Sequence, residues 1–222
     1  MNIYLDIETG PLPVEKREFL RPDAASIKTG NLKDLAKIND KIVQAVREWE
    51  AGEGCALDPM QGEILVIGVA IGDTDVIQMH ENGERDILER FWEMIGKAAN
   101  SNPHFIGHNI RFDAGFLIKR SLAHGVKMPG LYVRDLFSYA PLFWRDTMQA
   151  WMLGDRRADM VSLKKLCGFF GVEVKDGDIT GANFAENWHG GNKTECLAYN
   201  AQDVEATRAV YKRMEQLFPT ND

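Results

Sequence analysis

Two carboxylates stand two residues apart on an apolar segment near the start of the chain. In YLDIETG, Asp6 and Glu8 alternate with Leu5 and Ile7, which is the period-two pattern of a β-strand whose alternate side chains share a face. The two carboxylates therefore point the same way and repel each other. Such a pair is costly unless both groups face water or share a cation, and this segment alone leaves the two alternatives open.

Two later segments place further acids where they can join the first pair. In HNIRFD, a polar turn between a strand and a helix brings Asp113 close to the helix start. In YNAQD, Tyr199 and Asp203 stand four residues apart on one helical face, which Ala206 and Val210 continue as an inward stripe. A buried aspartate needs a partner, and a divalent cation is the economical one. Each feature alone is compatible with a solvated acid or an ordinary helix pair, but their order predicts one shared metal site.

Composition narrows the class of protein. The chain has 222 residues, of which 45% are hydrophobic, and this is enough for one sizeable core with an elaboration. Its longest apolar run, Ile64–Gly72, is about half of the ~20 residues that a membrane-spanning helix requires, so no membrane partner is expected. The acidic start of the chain lacks the features of a secretory signal, which makes the cytoplasm the expected location. The net charge of −7 disfavours a large basic surface for nucleic acid, but it is compatible with an enzyme that contacts a few nucleotides.

The elements that must position the acids alternate between strand and helix patterns. Glu63–Gly72 and Asp75–His80 read as two strands joined by a tight turn, and we expect them to be antiparallel neighbours. A short strand, HFIGH, leads into a helix that could be capped by Asn109 and ends at Gly125. A last strand is expected within residues 131–148, and the remaining chain reads as helical. A helix before HFIGH turns one apolar face inward, formed by Ile87, Leu88, Phe91, Trp92 and Ile95.

This order of elements predicts an α/β fold in which helices flank a mixed sheet. The segment between the first two strands, about residues 14–62, is too long for a hairpin loop and should carry structure of its own. Asn31 and Gly52 bound a predicted helix there. Two interpretations stay open for this helix, packing on the main core or serving as a lid or partner surface. Its apolar residues recur at spacings of three and four, at Leu35, Ile38, Ile42, Val46 and Trp49.

The three acidic segments resemble a known set of motifs. LDIETG, HNIRFD and YNAQD are similar, in this order, to the motifs of the DEDD exonucleases, the DnaQ-like group of the ribonuclease-H-like fold. Tyr199, four residues before Asp203, resembles the DEDDy branch, whereas the DEDDh branch has a histidine where this chain has Ala198. Within that branch the chain is similar to predicted exonucleases related to the proofreading domain of family-B DNA polymerases. The resemblance runs from about Ile3 to Tyr211 and includes the long insertion after the first motif.

The resemblance implies a fold, an activity and a set of ligands. The expected fold is a ribonuclease-H-like mixed five-stranded sheet flanked by helices, as a single exonuclease domain over residues 1–222 with a helical insertion at about 14–62. The expected activity is 3′–5′ exonucleolytic removal of nucleotides from single-stranded or frayed DNA, favoured over RNA. The implied metal ligands for two Mg²⁺ or Mn²⁺ ions about 3.5–4 Å apart are Asp6, Glu8, Asp113 and Asp203. Tyr199, with an ordinary pKa near ~10, would orient the attacking water rather than remove its proton.

Further contacts are implied with less specific support. Asn109 and Phe112 lie within the second motif and would contact the 3′ nucleotide, with helix capping as the alternative for Asn109. Thr9 and Gly10 would let the backbone approach the terminal sugar, although Gly10 is also compatible with a plain turn. Asp146, in RDTM, resembles an aspartate that supports the metal ligands in this branch, and a plain cap of the next helix is an equal alternative.

The most basic stretch has two interpretations, and the insertion has a possible role in binding. Arg156, Arg157, Lys164 and Lys165 would either meet the phosphate backbone of the substrate or lie on a solvated helical face. The insertion at about 14–62 could recruit a protein partner.

Competing functions remain at this point. An exoribonuclease would use the same carboxylates, because sugar preference depends on how the pocket meets the 2′-hydroxyl. A phosphatase of the aspartyl-phosphate type would need aspartate in place of Glu8 and would leave YNAQD unexplained. A catalytically silent binding module would be expected to lose at least one metal carboxylate, since an unfilled acidic pocket is electrostatically costly. All four are present, which favours an enzyme.

Overall fold

The computed structural model describes residues 1–98, 101–138, 141–155, 160–174 and 177–218. The chain divides into two compact units, one formed by Met1–Glu8 with the chain from Ile64 onward, the other by Thr9–Glu63. No helix among the residues that the structure describes has the length and apolar composition needed to cross a bilayer.

A mixed sheet organises the fold. Its strands lie in the order β3-β2-β1-β4-β5. Strand β3 is antiparallel to β2, while β4 is parallel to both β1 and β5. Parallel neighbours require crossover connections, and helices provide them here. The predicted α/β fold with a mixed five-stranded sheet is confirmed. The strand bounds are β1 (Asn2–Pro11), β2 (Gly62–Ile71), β3 (Ile77–Met79), β4 (His104–Gly107) and β5 (Trp144–Asp146).

The helices follow most of the predicted pattern. In chain order they are α1 (Val14–Arg17), α2 (Leu35–Ala51), α3 (Glu84–Ala98), α4 (Ile110–His124), α5 (Gly130–Asp135), α6 (Thr147–Trp151), α7 (Leu163–Phe170), α8 (Phe184–His189) and α9 (Lys193–Met214). Helix α4 begins after Asn109 and ends at Gly125 as predicted, but the side chain of Asn109 makes no capping hydrogen bond. The last strand lies within residues 131–148 as expected, but only Trp144–Asp146 form it, and the first residues of that range belong to α5.

Both faces of the central strand β1 are covered. Ile3, Leu5 and Ile7 belong to the largest core cluster, together with the inward face that was predicted for α3. On the other face, Tyr4 packs with Val204 and Tyr211 of α9. The acidic face of β1 is therefore not an open surface, and of the two alternatives that the sequence left for its carboxylates, full solvation is excluded.

The smaller unit, Thr9–Glu63, is organised by the end of α2. Gly52 ends this helix as predicted, with a left-handed backbone (φ 80°). Its start was predicted wrongly: the N-cap is Asp34, whose side chain accepts from the backbone N–H of Ala36, and not Asn31. Arg17 is buried and donates to the backbone carbonyls of Trp49 and Glu50 at the last turn. A buried arginine thus satisfies carbonyl groups that have no partner within the helix.

Candidate active site

Three carboxylates from two elements meet beside the sheet. Strand β1 supplies Asp6 and Glu8, and α9 supplies Asp203. One carboxylate oxygen of each lies within 4.8 Å of the others. Glu8 is only 6% exposed, and Asp6 and Asp203 are partly buried. Acids held this close with so little water are costly when ionised, and hard oxygen donors at this spacing fit Mg²⁺ or Mn²⁺.

Asp113, on α4, is hydrogen-bonded to the same strand. It lies in the first turn of α4, is 5% exposed, and its Oδ1 accepts the backbone N–H of Ile7 at 3.0 Å. Ile7 stands between Asp6 and Glu8 on β1, so this bond brings the first turn of α4 to the carboxylate pair. The group within 4.8 Å contains Asp6, Glu8 and Asp203 but not Asp113. The structure therefore brings together three of the four predicted ligands closely and places the fourth beside them.

The electrostatic consequence is a raised pKa for all four acids. Burial is the main cause that raises the pKa of Asp6 and Glu8 well above the ordinary range, and the neighbouring acids raise it further. Burial likewise raises the pKa of Asp113 to about 8, against the opposing effect of the Ile7 N–H. Burial raises the pKa of Asp203 to about 6, while a hydrogen bond from Tyr199 lowers it. A bound cation would offset the repulsion among these acids and lower their pKa values again.

Tyr199 lies one helical turn before Asp203 and contacts it directly. The two side chains share a hydrogen bond, and the ring of Tyr199 packs against Phe184 with centroids 6.1 Å apart. Burial, with the nearby charges of Asp203 and Glu8, raises the pKa of the phenol above its ordinary value. The phenol is therefore a hydrogen-bond donor at neutral pH and not a base, which suits a role in orienting a water molecule.

Asp146 has contacts compatible with both of its predicted roles. Its Oδ1 accepts backbone N–H groups of Met148 and Gln149, which caps α6, and also the N–H of Asn109 at 3.0 Å. Its Oδ2 is a buried oxygen without a hydrogen-bond partner among the described residues. Asn109 has a left-handed backbone (φ 62°) and an exposed side chain. Asp146 thus fixes the turn that presents Asn109 to solvent.

The other three residues predicted to contact the substrate are Phe112, Thr9 and Gly10, and they lie in different parts of the structure. Phe112 is half-buried and packs against Phe116, with ring centroids 5.0 Å apart. Thr9 lies in the smaller unit, where its hydroxyl donates to the carbonyl of Ala56 at 2.6 Å. Gly10 is buried within β1, so the alternative of a plain turn was wrong.

Only half of the predicted basic stretch can be placed. Lys164 and Lys165 are exposed on α7. Arg156 and Arg157 lie outside the described residues.

A cavity of about 790 Å³ opens beside Tyr199 and Asp203. It is bounded by α7, α8 and the first half of α9, and the amides of Asn187, Asn192 and Gln202 contribute to its lining. This volume lies in the range of small-molecule sites in proteins. Amide side chains both donate and accept hydrogen bonds, so they suit the edges of a base or the hydroxyls of a sugar.

Asn200, within YNAQD, is a site residue that the sequence analysis missed. It is 0% exposed, and its Nδ2 donates to the carboxylate of Asp6 at 2.9 Å. The signal was its spacing, because Asn200, Val204, Thr207 and Tyr211 form the most deeply buried stripe of α9. A polar residue that begins such a stripe must find a buried partner.

Two comparisons with known proteins found similar sequences, and one of them is a family of predicted nucleases. A family model described as predicted 3′–5′ exonucleases related to the exonuclease domain of PolB matches residues 63–220. Asp113, Tyr199 and Asp203 lie within this span, whereas Asp6 and Glu8 precede it. An uncharacterized protein of Methanocaldococcus jannaschii is 30% identical over 167 residues, which are 72% of this chain and 90% of the relative.

Proposed function

The chain belongs to the family of predicted 3′–5′ exonucleases related to the exonuclease domain of PolB, and on this premise we propose that it is a divalent-metal-dependent enzyme. It removes nucleotides from the 3′ end of single-stranded or frayed DNA. The supporting observation is the meeting of Asp6, Glu8 and Asp203 within 4.8 Å of one another. The hydrogen bond of Tyr199 to one of these acids adds to that support.

The ligands of the proposed site are the four carboxylates. Asp6, Glu8 and Asp203 would hold the ions, and Asp113 would complete the set from α4. Two bound Mg²⁺ or Mn²⁺ ions would supply Lewis-acid polarisation of the phosphodiester and acidification of the attacking water. The hydrogen bond from Ile7 to Asp113 fixes the position of that carboxylate relative to the pair on β1. Rigid placement of this kind is what allows ligands to favour one coordination geometry.

The other residues bind and orient the substrate. Tyr199, hydrogen-bonded to Asp203, would position the attacking water by hydrogen bonding. Asn109, held by Asp146, and the half-buried ring of Phe112 contact the terminal nucleotide. The strand that leads to it occupies the cavity beside Tyr199 and Asp203.

Three finer points stay predictions. From the sequence we expect residence in the cytoplasm and a single exonuclease domain in which residues 14–62 form an insertion. We also expect that this insertion recruits a protein partner. The preference for DNA over RNA belongs to the proposal and is decided by experiment, because the same carboxylates can serve either substrate.

The test is cleavage of two 5′-labelled single strands of one sequence, one DNA and one RNA, by the purified protein with Mn²⁺. Asp6→Ala is the control. We expect a ladder that shortens from the 3′ end of DNA faster than of RNA and is lost in the control. A faster RNA ladder would make the protein an exoribonuclease. Absence of cleavage by the wild type would favour a catalytically silent module.

A further inference from the structure

A series of amide hydrogen bonds joins β3 to the first carboxylate of the site. Asn200 on α9 donates from Nδ2 to Oδ2 of Asp6 at 2.9 Å. Its Oδ1 accepts a bond of 2.9 Å from Nε2 of Gln78, which lies on β3. The same Nε2 donates to the backbone carbonyl of Leu197 at 2.8 Å. Side chains from two elements are thus linked in series to one carboxylate oxygen.

Leu197 determines how both amides are turned. A backbone carbonyl only accepts hydrogen bonds, so the group of Gln78 that faces Leu197 is its NH₂. This NH₂ also faces Asn200, which therefore presents its oxygen to Gln78 and its own NH₂ to Asp6. A reversed Asn200 amide would place its oxygen against the carboxylate and lose both bonds. The contacts consequently make Asn200 a donor to Asp6.

Gly68 makes this approach possible. It lies on β2 directly opposite Gln78 in the antiparallel pair. A Cβ at Gly68 would lie 2.3 Å from Oδ1 of Asn200, well inside contact distance. The sheet thus omits a side chain at the place where the amide of Asn200 packs against it.

We propose that Asn200 and Gln78 are positioning residues that hold Asp6 ready for a divalent cation, an inference that rests on the proposed function. The amide engages Oδ2 of Asp6, and Asp6 also offers a carboxylate oxygen to the group of three acids. Because this donor is neutral, it does not compete electrostatically with a cation at Asp6, whereas a lysine or arginine partner would. Hydrogen-bond partners of this kind orient metal ligands, and their loss typically weakens metal binding about 10–100-fold.

The test measures Mn²⁺ binding directly, by the loss of the free-ion electron paramagnetic resonance signal at room temperature. Gln78→Met keeps the length of the side chain and removes the amide, and Asn200→Leu removes the donor to Asp6. Gln44→Met is the matched control, because the amide of Gln44 donates to Glu48 on α2. Ile95→Val, in the buried face of α3, controls for a general loss of stability.

We expect both amide variants to bind Mn²⁺ at least about tenfold more weakly than the wild type, with both controls unchanged. Saturating Mn²⁺ should restore most of kcat in Gln78→Met, with KM for the DNA strand unaltered, which a merely structural defect would not produce. If Asn200→Leu does not fold, Gln78→Met alone decides.

Two failures are distinguishable. In the first, the wild type binds Mn²⁺ and cleaves DNA, and Gln78→Met binds the ion equally well. This result would overturn the positioning role and leave the proposed function intact. Wild-type protein that neither binds Mn²⁺ nor cleaves would overturn the proposed function and this role together.

Discussion

Two glutamates of this protein are buried to nearly the same extent, but their pKa values are shifted in opposite directions. Glu8 on β1 is 6% exposed and Glu84 at the start of α3 is 7% exposed. Both oxygens of Glu84 are engaged, since Oε1 accepts from the backbone of Ile64 at 2.8 Å and Oε2 lies 2.6 Å from Arg120 and 2.7 Å from His124. Burial alone would raise the pKa of Glu84, but hydrogen bonds from Arg120, Ile64 and His124 outweigh it and lower that pKa. The pKa of Glu8 is raised instead, by burial and by the charges of Asp203 and Asp113.

The difference shows which carboxylate serves the fold and which serves a ligand. Glu84 has its cationic partner within the chain, so its charge is balanced before anything binds. Glu8 faces other acids at a distance that only a cation or protons can make favourable. A site that retains unbalanced charge in the folded protein carries a free-energy cost that ligand binding removes. The two glutamates therefore allow function and stability to be separated by one substitution, glutamate to glutamine.

The largest expected effect is on catalysis, from Glu8→Gln. Removal of a metal ligand should lower kcat by about a thousandfold or more, because the stabilisation of the transition state depends on the ions. The free energy of unfolding without metal should stay equal or rise, since a repelling acid is lost. The measurements are single-turnover cleavage and denaturant unfolding in chelator. A variant that cleaves DNA at the wild-type rate would contradict the assignment of Glu8 as a ligand.

Glu84→Gln should lower the free energy of unfolding and leave the rate of cleavage nearly unchanged. The substitution leaves Arg120 as a buried charge without its carboxylate, and breaking a buried pair in this way costs about 3 kcal/mol or more. The rate of cleavage per folded molecule should remain within about twofold of the wild type, because Glu84 touches none of the site residues named above. Urea denaturation and an activity assay at low temperature would check the two quantities. Loss of activity in fully folded Glu84→Gln protein would contradict the assignment of Glu84 to stability alone.

Tyr199→Phe should slow cleavage less than the loss of a carboxylate does. Phenylalanine keeps the packing against Phe184 but removes the hydrogen bond to Asp203. We expect kcat to fall about a hundredfold with KM for the strand nearly unchanged, since a misplaced water affects the transition state more than binding. Tyr132→Phe, at the buried tyrosine of α5, is the matched control. Equal rates for the wild type and Tyr199→Phe would remove the phenol from the mechanism.

The sequence predicted the elements that depend on local periodicity. The inward face of α3 and the helix that follows Asn109 were found because apolar residues at helical spacing mark a buried stripe. The acids of the site were found because their order resembles a family, not because their spacing alone identifies a cation site. The start of α2 was placed wrongly, since Asn31 and Asp34 are equally good caps by residue type, and only the backbone geometry distinguishes them.

Features that depend on long-range contacts were beyond the sequence. The contact of Asn200 with Asp6 joins residues 194 positions apart. The spacing of Asn200 indicates that it needs a buried partner, but nothing local in YNAQD identifies Asp6 as that partner. The strand β5 was expected within residues 131–148, but its exact position is set by parallel pairing with β4 and not by its own three residues. Patterns with a short period can therefore be read from one segment, whereas the orientation of a ligand requires the assembled sheet.

The smallest expected effect is a pH dependence that distinguishes the two kinds of buried acid. In chelator, Asp113 has a pKa of about 8 when folded against an ordinary value near ~4. The unfolded chain binds fewer protons than the folded one above that ordinary value. Stability therefore falls as pH rises, by about 1 kcal/mol between about pH 7 and about pH 9 for this group. Glu84 adds no slope there, because its lowered pKa leaves it ionised in both states.

The measurement is the difference in unfolding free energy between the wild type and Asp113→Asn, followed across that pH range. The difference cancels the contributions of groups that both proteins share. Saturating Mn²⁺ should abolish the slope in the wild type, because a bound cation favours the ionised carboxylates that protons otherwise neutralise. A slope that persists unchanged in Mn²⁺ would mean that the acid cluster does not hold the ion, and the contrast between Glu8 and Glu84 would lose its functional meaning.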